Sequence, residues 1–204
     1  MATNGTMLTP ERARSLVFSG VSHFDIGFTD PSHETLMAVT HAAKTGATVT
    51  ASICLHRGNC GRTGMRVRTA AALGADSVCL NRFVPTGRGR LNERRLLPGK
   101  HDLLAALQQA QEAAEACPVH IYTGIPIEPE PAGRGCFPGI EFTSCSCGDA
   151  KWAIGPSGNL RTCEQNGTSL GNLLEMSFPE ALKMHSKYIG EFRKTAKDGC
   201  RFLG

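Results

Sequence analysis

The chain has 204 residues, of which 41% are hydrophobic and 20% charged, with a formal net charge of +4. This composition suits one ordinary domain, or one and a half small ones, and excludes a largely disordered chain. We find no nucleic-acid-binding pattern, no resemblance to a secretory signal at the polar residues 1–5, and no apolar stretch near the ~20 residues of a membrane span. The sequence therefore predicts a cytoplasmic protein that contacts neither nucleic acid nor membrane.

Helix and strand patterns alternate through the first half of the chain. Thr9 is expected to cap a helix at residues 10–19, and Asp30 a helix at residues 31–45. Further helices are predicted at 64–73 and 99–117, and strands at 21–28, 47–55, 76–84 and 119–123. Because strands that alternate with helices at this spacing form parallel sheets with right-handed crossovers, the predicted fold class is α/β.

Polar loops follow three of the predicted strands, at residues 29–30, 56–59 and 85–88. In parallel sheets and barrels, the reacting groups lie at the carboxyl ends of the strands. We therefore expect binding side chains in these loops. A short run of arginines at residues 88–95 follows the last of them, and a solvated loop is favoured there over a phosphate or acidic-peptide contact.

The composition changes near Gly124, which divides the sequence into predicted domains at residues 1–123 and 124–204. Residues 125–131 are rich in proline and are predicted to form a linker. A helix is predicted at residues 176–197, opened by Ser177 with Pro179 and Glu180 in a capping arrangement.

Nine cysteines are many for a chain without a secretory signal, and they indicate metal ligands or redox groups before disulfides. Cys145 and Cys147 precede a predicted strand, a turn at residues 155–159 and a returning strand that brings Cys163 back toward them. Thiolates on two sides of a hairpin suit a tetrahedral metal or an iron–sulfur cluster. Buried or paired cysteines without a metal are the alternative, whereas a zinc ribbon requires two Cys-x-x-Cys pairs that this chain lacks.

The remaining cysteines give weaker indications. Cys54 and Cys79 are predicted to be core residues of apolar strands, and Cys117 to pack at a helix end. Cys60 lies in a polar loop without a third ligand nearby, and the sequence does not decide the role of Cys136.

The segment from Cys145 to Asn172 resembles the start of a SPASM or twitch domain, the auxiliary-cluster extension of radical SAM enzymes. That pattern is a cysteine, a spacer, a glycine, four residues and a cysteine. Here Cys145 is followed by twelve residues, Gly158, four residues and Cys163. A Gly-Asn pair at residues 171–172, with an acidic residue shortly after it, continues the resemblance.

The first half of the chain is similar to the same superfamily. Residues 3–5, Thr-Asn-Gly, resemble the turn after the third barrel strand, and the next three predicted strands resemble strands four to six. The resemblance implies that Asn59, Arg82 and Arg88 contact S-adenosylmethionine (SAM). It also implies that an auxiliary [4Fe–4S] cluster is bound by these cysteines: Cys145, Cys147, Cys163 and Cys200.

The expected architecture is thus the C-terminal half of a partial (β/α)6 radical SAM barrel, with a small cysteine-rich β-hairpin and helix extension. The motif Cys-x3-Cys-x2-Cys, which binds the SAM-cleaving cluster in this superfamily, is absent from the sequence, as is the Gly-Gly-Glu loop. Residues 199–202, Gly-Cys-Arg-Phe, resemble the end of a SPASM domain from which intervening ligands are missing.

We therefore expect a fragment of an enzyme that, when intact, generates a 5′-deoxyadenosyl radical and modifies a peptide or protein, and that is inactive as the isolated chain. Two other hypotheses stay open. The chain is a non-catalytic partner that donates an auxiliary cluster to a separate N-terminal barrel half, or it is a zinc- or cluster-stabilised module that binds a peptide.

Overall fold

The computed structural model describes residues 1–196 and residue 200. Its strands are β1 (Ala2–Thr3), β2 (His23–Gly27), β3 (Thr48–Leu55), β4 (Ser77–Arg82), β5 (His120–Thr123), β6 (Ile140–Glu141), β7 (Ala153–Ile154) and β8 (Leu160–Arg161). Its α-helices are α1 (Pro10–Phe18), α2 (His33–Ala43), α3 (Thr63–Ala72), α4 (Glu93–Leu96), α5 (Lys100–Ala116), α6 (Phe178–Met184) and α7 (Ser186–Ala196). Short 3-10 helices lie at Cys60–Arg62, Gly87–Asn92 and Arg134–Cys136.

Strands β1 to β6 form one parallel sheet, in which each strand pairs with the next in chain order. The predicted α/β class and the sequential parallel order of β2, β3 and β4 are confirmed. Their bounds lie within two residues of the predicted ones. Strands β1 and β6 were not predicted, because two residues are too short to give a periodic pattern.

The two faces of this sheet differ in polarity, since successive side chains of a strand point to opposite faces. In β2, Phe24 and Ile26 are fully buried, whereas His23 and Gly27 are exposed and Asp25 is half-buried. Strands β3 to β5 continue the alternation. The buried side chains form one core cluster with residues from α1, α2, α3 and α5, so these helices share the apolar face.

Three local predictions differ from the structure. Helix α2 is capped by Ser32 rather than Asp30, and the Ser32 hydroxyl accepts a hydrogen bond from the Thr35 amide at 3.4 Å. The proline-rich residues 125–131 do not behave as a free linker, because Ile127 is fully buried in the core cluster. The predicted helix at 176–197 is two helices that meet at His185, and its last predicted residue lies outside the described residues.

The chain divides into two compact units. The first contains Met1–Phe83 and Glu93–Thr143, and therefore the whole parallel sheet. The second contains Val84–Asn92 and the described residues from Ser144 onward, with a small core of its own built on Leu160 and Leu170. The predicted division at residues 123 and 124 stays a prediction. Within residues 1–196 and 200, no helix has the length and apolar character that a bilayer crossing requires.

The core cluster makes a direct prediction about stability. Phe24 is fully buried, whereas Phe18 at the end of α1 is 95% exposed. We expect Phe24→Ala to lower the free energy of unfolding by ~3–5 kcal/mol, because it removes a ring from a packed core. Phe18→Ala, the matched control, should change it by less than ~0.5 kcal/mol. Urea titrations followed by circular dichroism test this, and equal midpoints for the two variants would contradict the described core.

Candidate functional site

The hairpin predicted between Cys147 and Cys163 is present and depends on one glycine. Strands β7 and β8 pair antiparallel, and the Gly155 amide donates to the Asn159 carbonyl at 2.9 Å. Gly158 has φ +85°, and a Cβ there would lie 2.5 Å from Asn172 Oδ1. Both the backbone conformation and the close approach exclude a larger side chain at this position.

Asn172 fastens the following segment to this turn. Its side-chain amide donates to the Ser157 carbonyl at 2.9 Å, and its backbone forms a bridge with Asn159. The Leu173 amide donates to the Gly158 carbonyl at 2.9 Å. The glycine and the Gly-Asn pair noted in the sequence therefore have a local structural role, which is to close the hairpin that positions Cys163.

Three ligand atoms meet at the base of the hairpin. The side chains of Cys147, Cys163 and Glu164 place one such atom each within 4.8 Å of one another. Cys163 is buried together with Phe192 of α7, and Cys145 packs against this pair. The sequence singled out the three cysteines but not Glu164, whose place directly after Cys163 is the only feature that could have indicated it.

Cys200, the fourth predicted ligand, is half-buried. The residues on either side of it lie outside the described residues, so the resemblance at 199–202 stays a prediction.

The two close thiols have opposite acidities because they share a proton. The Cys147 S–H donates to Cys163, and the Gln165 amide also donates to Cys163 Sγ at 3.4 Å. These hydrogen bonds outweigh burial and lower the pKa of Cys163 to about 7. The same hydrogen bond, together with burial, raises the pKa of Cys147. Cys163 is therefore the thiol of the pair that loses its proton first as the pH rises.

Charged side chains surround the cysteines. Lys151 Nζ forms an ion pair with Glu164 Oε1 at 2.8 Å. Burial raises the pKa of Glu164, but the hydrogen bond and charge of Lys151, together with hydrogen bonds from a backbone amide and Cys163, outweigh burial and lower the pKa. Arg193, which follows Phe192 in the chain, pairs with Asp149 at 2.8 Å. A negatively charged thiolate centre would therefore lie near Lys151, whose charge the Glu164 carboxylate already balances in part.

This donor set fits a thiophilic metal or an iron–sulfur cluster. Thiolate sulfur is the preferred ligand of both, and a backbone N–H bonded to sulfur, as at Cys163, is a common way to stabilise a ligating thiolate. The distance between the two sulfur atoms helps to distinguish a single metal ion from a cluster. Thiolates on one zinc lie ~3.8 Å apart, and those on one [4Fe–4S] cluster about 6–7 Å apart. The upper limit of 4.8 Å for Cys147 and Cys163 is closer to the first value.

Asn59 stabilises its own loop. Its side-chain amide donates to the Cys54 carbonyl at 2.9 Å, and its Oδ1 accepts from the His56 amide at 2.8 Å. The residue is 1% exposed, and its backbone carbonyl accepts a hydrogen bond from Arg66. The amide of Asn59 is therefore engaged within the loop that follows β3.

Arg82 and Arg88 belong to different units. Arg82 is the last residue of β4, opposite Leu55 in the parallel register, and is half-buried. Asn59 therefore lies in the loop after β3, and Arg82 ends the neighbouring strand β4 of the same sheet. Arg88 is exposed in the 3-10 helix at Gly87–Asn92, in the second unit.

A polar face of the parallel sheet was not recognised from the sequence. Ser52 donates to Asp25 Oδ1 at 2.6 Å, and Thr50 and Ser77 share a hydrogen bond of 2.7 Å. Tyr122 of β5 extends the network toward Thr50. We call these side chains, with His23, Cys54, Cys79 and Asn81, the polar face. The period-two alternation of β2, β3 and β4 could have indicated it.

The cysteines of β3 and β4 were both predicted to be core residues. Cys79 is buried at 5% exposure, as predicted, whereas Cys54 is only half-buried. The strand positions of both place them on the polar face, outside the core cluster. Burial raises the pKa of both thiols. Cys60, predicted in a polar loop, is instead 2% exposed and belongs to the core cluster.

The fold and the site define an α/β protein with a one-sided helical layer and a cysteine-rich candidate metal centre. The chain is 34% identical over 126 residues to a PqqA peptide cyclase of Streptomyces rochei. The matched region covers 55% of this chain and 35% of that protein. It is 27% identical over 141 residues to a PqqA peptide cyclase of Methylocella silvestris. Here the matched region covers 61% of this chain and 36% of that protein.

The chain thus spans about a third of the length of the curated relatives that it matches. No family model matches it. The two similarities support the resemblance to the radical SAM superfamily.

The proton shared by the two thiols predicts a coupled titration. In metal-free protein, Cys147→Ala removes the S–H donor, so the pKa of Cys163 should rise from about 7 toward its ordinary value of 9.0. Thiolate absorbance against pH measures this, and Cys117→Ala at the end of α5 is the matched control. An unchanged titration near pH 7 in Cys147→Ala would show that Cys147 does not set the acidity of Cys163.

Proposed function

We propose that this chain supplies the C-terminal part of a barrel and an auxiliary [4Fe–4S] site to a peptide-modifying radical SAM enzyme. In this proposal the cluster ligands are Cys145, Cys147, Cys163 and Cys200. The observation that carries it is the convergence of Cys147 and Cys163 on a hairpin whose glycine spacing matches the SPASM pattern.

The residues around the thiols have definite tasks in this proposal. Hydrogen bonds from the Cys147 S–H and the Gln165 amide lower the pKa of Cys163, which favours the thiolate form that binds iron. Phe192 excludes water from one side of the site. Lys151 offsets negative charge near the sulfurs while it stays paired with Glu164. A bound cluster of this kind supplies one-electron transfer.

The polar face supports the barrel part of the proposal. In an open parallel sheet with helices on both sides, both faces are apolar. Here one face is apolar and the other presents a carboxylate, hydroxyls and an amide, which is the pattern of a sheet that curves around a ligand cavity. We propose that Asp25, Ser52 and Tyr122 line this cavity.

The SAM contacts remain a proposal based on the resemblance. Arg82, at the carboxyl end of β4, is suited to bind the carboxylate of SAM. We propose a similar role for Arg88. Asn59 would act mainly by holding the loop after β3, because its side-chain amide is already hydrogen-bonded to that loop.

The similar proteins guide the choice of substrate. Both are named for a peptide, PqqA, and for its cyclisation. We propose that the substrate is a peptide or protein side chain, and that a separate N-terminal barrel half provides the Cys-x3-Cys-x2-Cys motif. Because thiolate ligands need a reducing compartment, we propose a cytoplasmic location.

Reconstitution tests the cluster. After anaerobic treatment with iron and sulfide, we expect a broad absorbance band near ~400 nm and bound acid-labile sulfide. Cys163→Ala should abolish both, because it removes a buried thiolate ligand, whereas the helix-terminal control Cys117→Ala should retain them. Equal iron and sulfide contents in the two variants would contradict ligation by Cys163.

A second candidate function is a zinc-stabilised peptide-binding module. The observation that favours it is the separation of at most 4.8 Å between the ligand atoms of Cys147, Cys163 and Glu164, which suits a single ion. In that case the purified protein is colourless, contains about one zinc per chain, and forms no sulfide-containing chromophore. Metal analysis before and after reconstitution separates the two functions.

The absence of the three-cysteine motif predicts that the isolated chain does not cleave SAM. Cleavage requires an iron with an open coordination position, and no three cysteines in this sequence have the required spacing. We expect no 5′-deoxyadenosine from SAM and dithionite, even after reconstitution. Chromatography of the quenched reaction measures this, with an intact radical SAM enzyme as the positive control. Catalytic formation of 5′-deoxyadenosine would contradict the proposal that a separate N-terminal barrel half provides the SAM-cleaving motif.

A further inference from the structure

An open cleft of about 400 Å³ lies where α2 and α3 approach the carboxyl end of β2. Its apolar part is formed by Phe28, Leu36 and Met65. Its polar part contains Asp30, Arg62 and Arg66. The volume is at the small end of the range for ligand sites, enough for one or two side chains. None of the cluster or SAM residues proposed above lines this cleft.

Arg66 is the most unusual residue of the cleft, because it is a cation that is only 5% exposed. One of its terminal nitrogens pairs with Asp30 Oδ1 at 2.6 Å, and the other donates to the Asn59 carbonyl at 3.3 Å. Its Nε is buried and has no hydrogen-bond partner among the residues that the structure describes. Arg66 therefore brings a positive charge to the lining of the cleft, while Asp30, its ion-pair partner, is largely exposed to water.

Arg62 adds a second positive charge one helical turn earlier. It is exposed, and within residues 1–196 and 200 its guanidinium has no ion-pair partner. The cleft therefore contains two guanidinium groups against one carboxylate, that of Asp30. The Asp30 carboxylate is 66% exposed and also lies 3.5 Å from His56, so it neutralises the cleft only in part.

The apolar part limits which anion fits. Met65 is 54% exposed although it is a large apolar residue, and it lines the same cleft as the two arginines. A flexible methionine adapts its shape to a partner side chain. A fully hydrated anion would leave this surface exposed to water, whereas a ligand with an apolar group next to a carboxylate satisfies both parts.

We propose that this cleft binds a peptide segment in which a glutamate or aspartate lies beside an aliphatic or aromatic residue. The carboxylate would bind between Arg62 and Arg66, and the apolar side chain would pack on Met65 and Leu36. The choice of a peptide rather than another acid rests on the proposed function, in which the chain acts on a peptide.

The test uses the complete 204-residue chain and two labelled peptides. One fluorescein-labelled decapeptide contains Leu-Glu-Leu-Glu at its centre, and the other has both glutamates replaced by glutamine. Fluorescence anisotropy at low ionic strength should give an affinity about tenfold higher for the acidic peptide, since each lost charged hydrogen bond weakens binding by about that factor. Equal affinities for the two peptides would overturn the proposal.

Arg62→Gln should lower the affinity for the acidic peptide by about tenfold. Arg68→Gln is the matched control, because Arg68 is, like Arg62, an exposed arginine, lies within α3 itself and does not line the cleft. Equal losses in both variants would mean non-specific attraction to a basic helix and would overturn the proposal. Met65→Ser should weaken binding of both peptides, and unchanged binding would refute the apolar half of the site.

The proposal and the proposed function can fail separately. Peptide binding is measured on protein before reconstitution and does not depend on the chromophore. Selective binding without a cluster would support the cleft and contradict the proposed enzyme. A reconstituted cluster with no effect of Arg62→Gln would support the enzyme and contradict the cleft. Octanoate that binds more tightly than the acidic peptide would assign the cleft to small apolar acids and overturn the peptide assignment.

Discussion

The parallel register of β2, β3 and β4 is the constraint on which the first unit depends. In this register Ile26 lies beside Ala51, and Ala51 beside Val78, so that apolar side chains from three strands share one face. Burial of that face under the helices supplies the main favourable free energy of the fold. A shift of one residue would place Asp25 and Ser52 in the core instead, which would cost far more than it gains.

The same register creates the polar face without any further requirement. Once the apolar side chains point toward the helices, the intervening residues must point the other way. Hydrogen bonds such as that from Ser52 to Asp25 then satisfy polar groups which are only half-buried. Packing and a potential ligand surface are therefore two results of one alternating pattern, and a core substitution that tilts a strand would also disturb the polar face.

In the second unit, backbone conformation and hydrogen bonds hold the hairpin in place, whereas in the first unit the packing of apolar side chains holds the sheet. The strands β7 and β8 have two residues each, too few to hold a hairpin by cross-strand contacts alone. Gly158 in the left-handed region and the hydrogen bonds of Asn172 close the turn instead. The acidity of Cys163 depends on this closure, because the hairpin brings its hydrogen-bond donor Cys147 to it, whereas its other donor, Gln165, lies only two residues further along the chain.

The sequence by itself determined the α/β class, the parallel strands β2 to β5 and the hairpin with its cysteines, because each follows from short-range periodicity or turn chemistry. It also located the cap at Ser177, where a serine and a glutamate three residues later bond reciprocally. Only the tertiary structure decided what distant segments bring together. The proximity of Asp30 to Arg66, for example, depends on how the crossovers between strands fold back, which no local pattern specifies.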